Sequence, residues 1–138
     1  MRDIPDLSEA PEPICRLIDW LVGNGLQVTY ERADGAFNQF ARWENDCLRL
    51  EMTADRGEWS VAIGTPDMSE TFHPDQFEAW IGDFPLVGDL SALYHQVDFI
   101  TARWPQIGAA VRKAPRAEEE IREIGRDYVR RRFGETRG

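Results

Sequence analysis

The stretch LRLEMTADRGEWSVAIG (residues 48–64) decides the fold. Leu48, Leu50 and Met52 alternate with Arg49, Glu51 and Thr53, and beyond Gly57 the apolar residues Trp59, Val61 and Ile63 alternate in the same way. A period of two is the mark of a half-buried strand. For both apolar sets to share one face, directly paired residues must have numbers that sum to an odd value, such as Met52 with Val61 and Leu50 with Ile63. A two-residue loop at Arg56-Gly57 satisfies this parity, whereas a regular three-residue loop turns one set to the wrong face. Gly57 supplies the positive φ, and Asp55, Arg56 and Glu58 are left at an exposed hairpin tip.

Upstream, Leu26, Val28 and Tyr30 alternate with Gln27, Thr29 and Glu31. Ala33-Asp34-Gly35 then offers a turn before a further short strand around residues 37–43, and Glu44-Asn45-Asp46 offers the next. Four consecutive strands joined by tight turns predict an antiparallel meander. Ahead of them a loose lead-in over residues 1–10 gives way to Ile14, Leu17, Ile18, Leu21 and Val22, one helical face over residues 12–23 stopped by Gly23-Asn24-Gly25. Downstream, Pro74 suits the first turn of a short helix, with Phe77, Trp80, Ile81 and Phe84 at helical spacing and an end near Gly82. Leu90, Leu93, Tyr94, Val97, Ile100 and Trp104 predict a third helix from about Asp89, broken by Pro105. A charged helix over residues 116–133 closes the chain, with Glu118/Arg122, Asp127/Arg131 and Glu123/Arg126 spaced to pair. The expected fold is a single α+β domain, a meander of about four strands packed against an N-terminal helix and C-terminal helices.

A chain of 138 residues is the common size for one domain, and five Trp and seven Phe supply a core. No apolar run is long enough for a membrane span, and the N-terminus lacks the pattern of a signal peptide, so a cytoplasmic protein is the default expectation. Cys15 and Cys47 form no redox or disulfide pattern and read as reduced packing residues. The net charge of −9 is uneven: residues 1–115 hold 19 acids against 9 Lys/Arg, and residues 116–138 hold 6 against 7. An acidic body repels nucleic acid and attracts a basic protein partner, though acidity also serves solubility.

Candidate chemistry is sparse. His73 beside Pro74 reads as a helix cap or as a plainly solvent-exposed residue, and His95 falls off the apolar face of the third helix. Neither belongs to a metal-ligand spacing. Cys47 with His95 would be the one conceivable nucleophile and base, but nothing around Cys47 would depress its pKa. No phosphate-binding or nucleophile-elbow motif occurs. The expectation is no catalytic, metal or cofactor residue. Aromatic residues among acids suit an interface for a basic partner, and the candidate partner-binding residues are Glu44, Asp46, Asp55, Glu58, Trp43 and Phe99. Phe99 lies opposite the apolar face of its helix, either packed on both sides or exposed for contact.

The residues LRLEMTADRGEWSVAIG (48–64), FHPDQFEAWIGDFPLVGDL (72–90) and FITARWPQI (99–107) carry a resemblance. In this order of a strand, an Asp-Arg-Gly turn, a Trp-bearing strand, a short helix and a longer one, residues 26–112 resemble small immunity proteins of bacterial polymorphic-toxin systems, contact-dependent or type VI-like. The resemblance implies a non-catalytic cytoplasmic protein that binds and neutralises a cognate toxin, basic if it is a nuclease. The arginine-rich last helix lies outside it and is open to dimerisation or a second contact. The alternatives are an adaptor or chaperone-like protein of a secretion system and, behind it, a small hydrolase using Cys47 or a carboxylate.

Overall fold

The computed structural model describes residues 10–33 and 38–134. The expected lead-in over residues 1–9, and most of the turn at Ala33-Asp34-Gly35 with Phe37 beyond it, lie outside the described residues. The elements run α1 (Glu12–Gly23), β1 (Gln27–Ala33), β2 (Asn38–Glu44), β3 (Arg49–Asp55), β4 (Glu58–Gly64), α2 (Pro74–Gly82), α3 (Leu93–Lys113) and α4 (Ala117–Val129), whose end passes into a π-helical turn, Arg130–Gly134. The strands form one antiparallel sheet in the order β1-β2-β3-β4, so the chain is an α+β meander flanked by helices. Among the described residues no helix is long and apolar enough to cross a membrane.

The β3–β4 register has the expected odd-sum pairing throughout. Met52 pairs with Val61 and Leu50 with Ile63, and Asp55 and Glu58 close the hairpin across Arg56-Gly57. Both loop residues take positive φ, +56° at Arg56 and +83° at Gly57, as a two-residue turn that matches strand twist requires. Asn38 on the neighbouring strand accepts from the Arg56 N–H through Oδ1 at 3.2 Å.

One face of the sheet supplies Ala41, Trp43, Leu50, Met52, Val61 and Ile63 to a core completed by Ile14, Leu17 and Leu21 of α1, Phe77 of α2, Val97 and Ile100 of α3 and Ile121 of α4. At its centre the Phe77 ring stands edge-on to Phe72 at 6.2 Å and to Trp104 at 6.3 Å. Cutting the wholly buried Phe77 to alanine would cost about 3–5 kcal/mol. The opposite face carries cross-strand ion pairs at directly opposed positions, Arg42 Nε to Glu51 at 3.0 Å and Arg49 Nε to Glu44 at 2.7 Å. Arg49 also donates to the carbonyls of Pro66 at 2.8 Å and Met68 at 3.2 Å, which fastens the loop after β4 to the sheet.

The helices depart from expectation in four places. Pro105 does not break α3, which runs on to Lys113 with Pro105 inside it. Pro105 is exposed, and continuing the helix buries Ile107 and Gly108; water can meet the carbonyl that proline deprives of a partner, so burial outweighs the lost bond. The start of α3 moves from Asp89 to Leu93, because the buried Asp75 carboxylate takes both the N–H of Ser91 at 2.7 Å and its hydroxyl at 2.5 Å and holds the preceding chain extended. Val22, assigned to the buried face of α1, is exposed. In the last helix Asp127 pairs with Arg130 rather than with Arg131, which reaches the carbonyl of Leu86 at 3.2 Å. The pairs Glu118/Arg122 and Glu123/Arg126 form as their spacing implies.

Candidate binding surface

The chain between α2 and α3 gathers the most conspicuous surface feature. Phe84, Val87, Leu90 and Tyr94 are 47%, 61%, 40% and 62% exposed within eleven residues of sequence. Leu90 and Tyr94 had been assigned to a buried helical face and Phe84 to the face of α2; all three are corrected to surface positions. Clustered exposed apolar side chains are the usual mark of a contact surface.

The part of this segment before α3, residues 83–92, is held firmly although it is not helical. Asp83 ends α2 in the left-handed conformation at φ +58°, and Gly88 adopts φ +76°. Leu86 points inward and is buried. From α4 and its π-helical end, Tyr128 Oη donates to the carbonyl of Gly88 at 2.9 Å, Arg132 to the same carbonyl at 2.7 Å and to Asp89 at 2.8 Å, and Arg131 to Leu86. Gln96 donates to the carbonyl of Ser91 at 2.7 Å. The Phe84 ring lies over Gly82, where an added Cβ would come within 2.3 Å of its Cε2. The arginine-rich end therefore acts as a brace, and the apolar segment is flanked by exposed Asp83 and by the Asp89–Arg132 ion pair.

The six residues singled out by sequence do not converge. Trp43 and Phe99 are buried in the core and offer no surface; Phe99 packs under α3 with the Arg103 guanidinium 5.7 Å from its ring centroid. Glu44 is engaged by Arg49, and that hydrogen bond holds its carboxyl below the usual range against the opposing effect of burial. Asp46 lies in the β2–β3 turn and Asp55 and Glu58 at the β3–β4 tip, so they occupy opposite ends of β3, about 20 Å apart for a strand of this length. Asp46 and Glu58 are exposed, with no hydrogen bond or ion pair to another described side chain, and Asp55 has only Arg56 at 4.0 Å. The sequence reading missed Val87 altogether. Its hydrophobicity next to Gly88 and Asp89, in a stretch with no helical period, was the available signal.

Of the two roles open to His73, capping and plain solvent exposure, the structure shows the cap. Its Nδ1 accepts from the Asp75 N–H at 3.0 Å while Gln76 Oε1 accepts from the His73 N–H at 3.2 Å. Burial pushes the His73 pKa down, with the nearby Asp75 opposing. His95 is exposed and contacts Glu78 at 3.0 Å. Cys47, expected to be a packing residue, is instead exposed, because it completes the Asn45-Asp46-Cys47 turn while Leu48 turns inward. It borders α3 at Trp104 and beyond, nine or more residues from His95 and so about 13 Å along the axis. Cys47 and His95 are thus not brought together as a nucleophile and base.

Comparisons of this chain with protein-family models, with curated proteins and with solved structures find no match.

Proposed function

We propose that this protein neutralises a cognate bacterial toxin by binding it, performing no chemistry of its own. The observation that carries the reading is the braced segment of residues 83–94, which presents four exposed apolar side chains beside Asp83 and Asp89. An apolar centre with a charged rim is the common anatomy of a protein interface. The net charge of −9 favours a basic occupant, such as a nuclease with a positive substrate cleft. The resemblance of residues 26–112 to immunity proteins points the same way.

In this reading the apolar segment docks, and the acids at the ends of β3, Asp46, Asp55 and Glu58, steer the encounter. Co-expression with the toxic C-terminal domain encoded beside it tests the proposal. Wild-type protein should protect, and the double variant Val87→Ser, Leu90→Ser should lose protection without losing its fold, since both residues are exposed. Undiminished protection by that variant would reject the segment as the docking surface. A harmless neighbour, or no protection by wild-type protein, would reject the toxin-neutralising role itself.

A further inference from the structure

We propose that the groove between α1, the β2–β3 turn and α3 is a binding site for a small aromatic monocarboxylate, held by Arg112 and the indole N–H of Trp104 at a notch made by Gly108. The groove encloses about 270 Å³, near the lower end of small-ligand pockets, and it is separate from the segment of residues 83–94.

The notch follows from the sequence. Trp104, Gly108 and Arg112 are spaced by four, which puts them on one face of α3. Long helical side chains lean toward the N-terminus of their helix, so Arg112 folds back over Gly108. A Cβ on Gly108 would lie 3.5 Å from Arg112 Nη1 and 3.8 Å from Trp104 Nε1. Two nitrogen donors therefore both border the face of α3 that Gly108 leaves bare, and a side chain there would fill the space against them.

Both donors are unoccupied. Among the described residues Arg112 makes no ion pair or hydrogen bond, although the chain carries 25 acids against 16 Lys/Arg. Trp104 lines the groove, and its N–H has no acceptor among the described residues and reaches solvent there, unlike the enclosed N–H of Trp43. A donor that meets only solvent is free to take an oxygen anion, and one bridging it to the guanidinium would gain charge-assisted bonds. The opposite wall is rigid: Asn45 Oδ1 accepts from the N–H groups of Cys47 at 2.8 Å and Leu48 at 2.9 Å, and its Nδ2 donates to the carbonyl of Asn24 at 3.1 Å. Trp20 of α1, half-buried along the groove, offers ring surface to a planar apolar body. A single negative charge suits a protein of net charge −9 better than a phosphate, which brings two.

The test follows the five indole N–H signals by NMR, with Trp104 assigned through Trp104→Phe, during titration with phenylacetate and, separately, with the neutral phenylacetamide. Phenylacetate should shift the Trp104 indole signal saturably and the amide should not. Arg112→Gln, at an exposed position, should weaken binding about tenfold or more, and Gly108→Ala, which fills the notch, should do likewise. Equal shifts with the amide, unchanged affinity in Arg112→Gln, or no shift with phenylacetate would each overturn the proposal. Binding only of a peptide with a free C-terminal carboxylate would also overturn it, assigning the notch to a chain end.

Discussion

Tyr128 Oη donates a hydrogen bond of 2.9 Å to the carbonyl of Gly88, joining the last helix to the left-handed glycine at the middle of the apolar surface segment. Without this bond and those of Arg131 and Arg132, the stretch between buried Leu86 and Ser91, which Asp75 and Gln96 hold, would have few restraints of its own. Tyr128→Phe keeps the ring and removes the donor. The expected cost is about 0.5–1 kcal/mol in urea unfolding, with faster amide exchange confined to residues 86–90. Unchanged exchange there would show that the arginines alone brace the segment.

The His73 cap makes stability depend on pH. Its folded pKa lies below the ordinary value of 6.5 because of burial, so the unfolded chain binds the proton more readily. Stability is then complete above about 6.5 and is lost as pH falls toward the depressed folded value. The chemistry agrees, because Nδ1 must be unprotonated to accept from the Asp75 N–H. His73→Ala should cost about 1 kcal/mol at neutral pH. His73→Asn should retain the cap and abolish this part of the pH dependence, as read by denaturant unfolding across the interval.

Glu44 titrates with the same sign at lower pH. The Arg49 hydrogen bond depresses its pKa below 4.5, so its stabilisation is present above that value and disappears as pH falls through the depressed one. Arg49→Gln should destabilise by about 1–3 kcal/mol near neutrality, since it also removes the donors to Pro66 and Met68. Wild-type and variant stabilities should draw closer below about pH 4. A gap that stays constant on acidification would assign the loss to the two carbonyls alone.

Gly125 tests packing against helix propensity. Alanine in a helix is favoured over glycine by about 1 kcal/mol, yet a Cβ at Gly125 would sit 2.6 Å from Gln76 Nε2 and 3.1 Å from its Cδ. Gln76 cannot swing away freely, because it accepts from the His73 N–H and donates to the carbonyl of Ile121 at 3.0 Å. Gly125→Ala should therefore lower stability by about 1–2 kcal/mol net. A rise in melting temperature would show that the α2–α4 contact gives way at little cost.

Local pattern was enough for much of this architecture. The parity of Leu50, Met52, Val61 and Ile63 gave the hairpin register, because a one-residue slip would invert every side chain of a strand. Helix α1 and the His73 cap were equally legible, since capping and one-sided periodicity act within a few residues. The candidate surface was not. Leu90 and Tyr94 fit a helical face by spacing, but Asp75, sixteen residues before Ser91, keeps the chain through Leu90 and Ser91 out of the helix, while Tyr94 is helical and faces solvent.

For β3 and β4 the sequence by itself determined which residues pair and which face is apolar, because period and turn length are local quantities; in β1 a register shift between Val28 and Tyr30 breaks the expected alternation and leaves Tyr30 exposed. Tertiary structure alone decided which apolar residues reach solvent: Trp43 and Phe99 were drawn into the core, while Phe84, Val87, Leu90 and Tyr94 were left outside it. It also brought Trp104 Nε1 and Arg112 together over Gly108 against the β2–β3 turn. Exposure depends on what packs from distant parts of the chain, and no spacing along one element contains that information.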